Sequence, residues 1–251
     1  MQAKKLPAVA GWRWLQGGLA LWRRFPVPLS MAALLSMLLT SLPGAIPWLG
    51  PLLVCLMAPC MDVVLLHVCR QLATGRQPML PAVRASLQRN LRGLLVLGLV
   101  MFLVLMAARG LRDLLAGPGI EAFMEAAARG EAKQVPGNVL SGVLVYWVCM
   151  MLMTAVMWVA PALTAFADVP PVKALFFAIV ACWRNKAALL MYGFALMLLS
   201  IPLSFMFLLG QLGQLLASLV MFGVFMPACL ASNYLSLVDI FGPLPEPDDA
   251  R

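Results

Sequence analysis

The sequence predicts an all-α polytopic membrane helix bundle, and three observations carry that prediction. No charged residue stands between Lys186 and Asp239, and two further charge-free runs extend from Phe25 to Met61 and from Gln134 to Ala167. One helix crosses a bilayer with roughly 20 apolar residues, so the first and last runs each hold two passes. Composition agrees: with 63% hydrophobic residues, 11% charged residues and a mean hydropathy of +0.94, a water-soluble fold would lack the polar surface to cover its core. Proline and glycine then cut the long runs into hairpins.

Six passes follow in order. Residues 27–46 and 51–71 form the first hairpin, turned by Pro43, Gly44, Pro47 and Gly50-Pro51. The third pass, 92–110, is short in its charge-free part, with Arg92 and Arg109 snorkelling from its ends. The fourth is expected at 139–165, the fifth at 187–208 and the sixth at 213–237. A polar segment, 109–138, separates the third and fourth. Within it Gly117-Pro118-Gly119 and Pro136-Gly137-Asn138 bracket a short helix beginning near Glu121. The N terminus is basic like that of a signal peptide, but Arg13, Arg23 and Arg24 interrupt it and the long apolar run begins only after residue 24. An uncleaved anchor is expected.

An amphipathic helix is predicted before each hairpin. In the first, Trp12, Leu15, Leu19 and Trp22 share a stripe opposite Arg13, Gln16, Gly17, Arg23 and Arg24, the pattern of a helix lying in the headgroup layer. The second sets Leu80, Val83, Leu87 and Leu91 against Arg84, Gln88 and Arg92, with Pro81 near its start. The third runs from Pro170-Pro171 through Val172, Leu175, Phe176, Ile179 and Trp183. The returning passes also echo one another, through Ala58-Pro59-Cys60, Ala160-Pro161-Ala162 and Met226-Pro227-Ala228-Cys229. At the entry to the spans, Trp22-Arg23-Arg24-Phe25-Pro26 parallels Trp183-Arg184-Asn185-Lys186-Ala187, with a weaker counterpart at Gln88-Arg89-Asn90-Leu91-Arg92. The expectation is one integral membrane domain of three repeat-like units, about 11–75, 79–168 and 170–240.

Charge sets orientation and partners. Of the 18 Lys and Arg, all but Arg109, Arg112, Arg129 and Lys133 fall on the side of the termini, and those four are offset by Asp113, Glu121, Glu125 and Glu131. The positive-inside rule then places both termini in the cytoplasm, in a bacterial inner membrane. The formal charge of +8 suits an anionic leaflet rather than nucleic acid. Arg23, Arg24, Arg89, Arg92, Arg184 and Lys186 are the candidate headgroup-binding residues.

The chain offers little for catalysis. Its six cysteines make no C-x-x-C pair and fall in or beside apolar runs, as small packed hydrophobes, so neither a disulfide framework nor a metal site is expected. His67 sits about one turn from the end of the second pass, where an interfacial packing role is expected. Zincin, nucleophile-elbow and phosphate-loop motifs do not occur. Ser200, Ser204, Ser218 and Thr154 read as packing residues of helices. No catalytic residue and no cofactor are predicted. Asp62 is the candidate intramembrane polar site: a carboxylate near mid-bilayer costs at least about 2.5 kcal/mol on insertion scales, so it is expected to face the bundle interior.

Several of these motifs carry a resemblance. Gly11-Trp12-Arg13-Trp14 with Gly17-Gly18, Trp22-Arg23-Arg24-Phe25-Pro26, the return pass from Pro59 to Gly75 ending Cys69-Arg70-Gln71-Leu72-Ala73-Thr74-Gly75, and Trp183-Arg184-Asn185 resemble an uncharacterised family of bacterial inner-membrane proteins. More distantly they are similar to the membrane domain that precedes some glycerophosphodiester phosphodiesterases. The resemblance implies six helices, inner-membrane residence and no assigned activity, since the phosphodiesterase chemistry belongs to a separate soluble domain. Asp62 and His67 depart from the apolar or small residues expected at their places. The function predicted is a non-enzymatic bundle that binds lipid, anionic phospholipid above all, or a partner, whether another membrane protein or a second copy. The alternative is a small transporter or channel subunit, supported by Asp62 and the proline-interrupted helices.

Overall fold

Proline and glycine set most of the helix limits. The computed structural model describes residues 3–76, 80–117, 119–129, 135–207 and 209–243. A residue before proline is pushed out of the helical region; Phe25, at φ −135° and ψ 61°, accordingly separates α1 (Val9–Arg24) from α2 (Pro26–Gly44). α3 (Gly50–Ala73) starts on Gly50-Pro51, and α4 (Leu80–Ala116) breaks at Asn90, which has φ −119° and ψ 17°. A short α5 (Gly119–Ala128) follows. The fourth pass is split into α6 (Gly137–Met157) and α7 (Ala160–Phe166) just ahead of Pro161. α8 (Pro171–Arg184) ends at Asn185, φ −109° and ψ 20°, before α9 (Lys186–Phe207). The last pass comprises α10 (Gly210–Val220), a π-turn at Met221–Phe225 and α11 (Met226–Phe241).

The protein is an all-α polytopic bundle, and among the described residues six helical stretches are long and apolar enough to span: Pro26–Gly44, Gly50–Ala73, Leu87–Ala116, Gly137–Phe166, Lys186–Met206 and Gly210–Phe241. The third is longer than the expected 92–110. Arg109 does not end it, because an exposed arginine at the margin of a helix costs little. Arg112 pairs with Asp113 at 2.7 Å and lies 5.6 Å from the centre of the Tyr146 ring, so the helix runs on to Gly117 at φ 60°. The expected turn residue Pro118 and the charges Glu131, Lys133 and Arg251 lie outside the described residues.

Small residues make the closest helix approaches, around a core that also holds large side chains such as Leu66, Leu94, Leu97 and Leu237. α1 does not bury the stripe Trp12, Leu15, Leu19 and Trp22 as a unit. Its buried residues are Ala10, Gly11, Trp14, Leu15 and Gly18, and they pack on α9 and α11. A Cβ on Gly11 would collide with the Ala188 carbonyl oxygen, and one on Gly18 with Ser232 Oγ and the Ala228 carbonyl oxygen. α8 likewise turns Ala174, Ala178 and Ala181 inward, while Val172, Phe176, Ile179 and Trp183 are exposed. Lipid tails are as apolar as leucine, so the close backbone approach that small residues allow contributes strongly to association in a bilayer.

Three prolines of the return passes, Pro59, Pro161 and Pro227, are fully buried, and each removes the donor for the carbonyl four residues back. The carbonyl freed by Pro227 belongs to Gly223, in the π-turn. It accepts from Trp22 Nε1 at 3.0 Å and from Ser30 Oγ at 2.6 Å, which ties the first hairpin to the last. The carbonyl freed by Pro59, that of Cys55, faces Gly98, where a Cβ would sit 2.6 Å away. Lys4 N donates to the Ile240 carbonyl at 2.9 Å and Trp14 Nε1 to Asp239 Oδ2 at 3.0 Å. Both ends of the described chain therefore meet at one end of the bundle.

Candidate functional site

Each amphipathic helix joins its span through one non-helical residue, Phe25, Asn90 or Asn185, and the six candidate basic residues flank these joints. All six are exposed. Arg24 lies 5.2 Å from the centre of the Phe25 ring, and Lys186 lies 4.6 Å from that of Trp183. Arg23 and Arg184 complete those two joints. Arg89 and Arg92 border a cavity at the second.

That cavity, about 430 Å³, lies between the Asn90 break, the end of α7 and the start of α8, and its lining includes Arg89, Asn90, Arg92, Thr164 and Asp168. Local sequence explains its shape. α7 ends in a reverse turn in which Val169 N returns to the Leu163 carbonyl at 3.2 Å, with Asp168 at φ 50°. Asp168 takes the left-handed conformation just past the helix end, which aspartate tolerates better than most residues. The turn presents the Asp168 carboxylate to Asn90 Nδ2, which donates at 2.9 Å, and to Arg89, with which it forms an ion pair. Asn90 Nδ2 also donates to the Ala165 carbonyl at 3.2 Å. Pro170 and Pro171 then start α8 at the cavity wall.

Asn185 has nearly the backbone of Asn90 but a different neighbour. It is fully buried. Its Nδ2 donates to the Lys4 and Ala181 carbonyls, both at 3.0 Å, and its Oδ1 accepts from Leu6 N at 2.9 Å. The N-terminal segment thus occupies this joint.

Asp62 lies near the middle of α3 and is half-buried. No hydrogen bond or ion pair reaches it from the described residues. His67 is buried and stacks on Phe166, with ring centres 6.3 Å apart and planes within 6°. All six cysteines are free, three of them buried. Cys182, outside the spans, donates to the Ala155 carbonyl at 3.2 Å, and burial pushes its thiol up to about 11, far from the thiolate that reactivity needs.

Sequence reasoning found the arginines of the cavity but missed Thr164 and Asp168, which come from a pass more than 70 residues away in the chain. The one available signal was a lone carboxylate just ahead of Pro170-Pro171. No protein-family model matches the chain, and no solved structure matches it. It is 34% identical over 222 residues, 82% of its own length and 78% of the relative's, to a probable inner membrane protein of Burkholderia thailandensis. With six spanning stretches and a match of that extent, the chain belongs to the family of this bacterial inner-membrane protein.

Proposed function

We propose that the protein is a non-enzymatic helical bundle that holds anionic phospholipid at the cytoplasmic face of the inner membrane. The observation that carries this reading is the placement of Arg23, Arg24, Arg89, Arg92, Arg184 and Lys186, all exposed, where amphipathic helices turn into spans. That is the level of lipid phosphates, and each basic residue near an anionic surface is worth about 1 kcal/mol. The cytoplasmic assignment of both termini follows from the Lys and Arg asymmetry. A membrane-protein partner or a second copy could share the same rim. The distant likeness to the domain that precedes some glycerophosphodiester phosphodiesterases belongs to this proposal.

Neutralising Arg23, Arg24, Arg89 and Arg92 together is expected to strip most anionic lipid from the purified protein, measured by phosphate analysis of co-purified lipid; unchanged retention would overturn the reading. Asp62 supports a second reading, a small transporter. A partly open carboxylate near mid-span, without a partner among the described residues, is what a cation or proton path would use. In proteoliposomes, Asp62→Asn would then abolish a pH-dependent flux while leaving lipid retention intact.

A further inference from the structure

We propose that the cavity between Asn90 and the start of α8 binds the phosphate group of one anionic phospholipid. This rests on the headgroup reading above and narrows it from a charged rim to a built site. Two guanidinium groups, Arg89 and Arg92, face the cavity against a single carboxylate, Asp168. Asp168 is committed to Arg89 and Asn90, whereas Arg92 has no hydrogen bond or ion pair with the described residues. The cavity wall therefore keeps a cation for a ligand.

The opposite wall is the N terminus of α8, a 14-residue helix. First-turn N–H groups have no acceptor within their helix and attract anions; because Pro171 carries no N–H, the free ones are those of Val172 and Lys173, directly behind the lining prolines Pro170 and Pro171. Between these walls stands Thr164. It is 2% exposed, and its Oγ1 has no hydrogen-bond partner among the described residues. Buried hydroxyls are normally satisfied, and a phosphate oxygen in the cavity would satisfy this one. Gly93 keeps the floor open: a Cβ there would lie 2.8 Å from Thr164 Cγ2 and 3.4 Å from Pro171 Cγ.

The surroundings favour a lipid over a soluble phosphate ester. Leu95, Val96 and Leu99 follow Arg92 at helical spacing on its own face of α4, and all three are exposed. Val172 and Phe176 are exposed along α8 beside the other wall. An acyl chain attached to the bound phosphate has an apolar track leading away from the site.

The test uses the full chain in detergent, titrated with phosphatidic acid, phosphatidylglycerol or phosphatidylcholine and read by native mass spectrometry. One anionic lipid is expected to bind more tightly than the rest. Arg92→Gln should weaken that one by about tenfold or more, the scale of a lost charge-assisted bond, and Arg92→Lys should restore part of it. Thr164→Val, nearly equal in size, should weaken it several-fold with the thermal midpoint unchanged. Arg24→Gln and Arg184→Gln should reduce only the looser lipids. If Arg92→Gln behaves like Arg24→Gln, the site is wrong while the rim reading stands. If the parent protein shows no anionic preference, both fall. Glycerol 3-phosphate is the soluble probe, and displacement of the tight lipid by it at equal concentration would overturn the choice of a lipid.

Discussion

The Asn90 and Asn185 joints are built from the same parts and end differently. In each, an amphipathic helix reaches an Arg-Asn pair, the asparagine leaves the helical region at φ −119° or −109°, and a span begins. At Asn185 the chain's own N-terminal segment fills the joint, bonded through the Lys4 carbonyl and Leu6 N. At Asn90 the side chain is spent on the Ala165 carbonyl and Asp168, and a cavity of about 430 Å³ remains. The same local device serves closure in one place and leaves an opening in the other. What differs is the long-range neighbour.

The largest expected effect comes from prying α1 off its seat, since α1 carries the segment that closes the Asn185 joint. Gly18→Leu would drive a side chain into the Ala228 carbonyl and Ser232; overpacking of this kind typically costs about 1–3 kcal/mol, and contact with backbone puts it at the upper end. A large fall in the thermal midpoint in detergent is expected, and an unchanged midpoint would show that α1 is not seated where the structure places it. Comparing the two asparagines directly comes next. Asn185→Ala removes three bonds at a fully buried site, so a cost of about 2–3 kcal/mol is expected, against about 1 kcal/mol for Asn90→Ala beside an open cavity. Equal losses would erase the distinction drawn between the joints. The smallest effect belongs to Asp168→Asn. Arg89 and Asp168 are 40% and 44% exposed, and exposed pairs contribute about 0–1 kcal/mol, so stability should barely move.

Much of this architecture is legible in the sequence, for physical reasons. Charge-free length and proline-glycine punctuation are local properties, and they located all six spans to within a few residues at most ends. Burial direction was less legible. The apolar stripe of α1 set Gly17 on the polar side and left Gly18 on neither, because glycine has no side chain to register as apolar, although backbone contact at Gly18 is what seats the helix. α8 is the complementary case: Phe176 and Trp183, which mark it in the sequence, face outward, and three alanines that no apolar pattern singled out face in, since hydrophobicity does not distinguish lipid from protein as a neighbour. Arg89 and Arg92 could be singled out as headgroup ligands, but their convergence with Thr164 and Asp168 depends on how α7 packs against α4, which no local pattern encodes. Asp62 was visible as an anomaly, and its surroundings still offer it no bond among the described residues.

The central claim is that the open joint, not the closed one, is the lipid site. The most direct measurement is photo-crosslinking with a phosphatidic acid bearing its reactive group beside the phosphate, in bilayers, followed by peptide mapping of the adducts. The account predicts adducts concentrated in residues 89–93 and 170–173, and largely lost in Arg92→Gln. Adducts centred on residues 184–186, or spread evenly over the three joints, would contradict it.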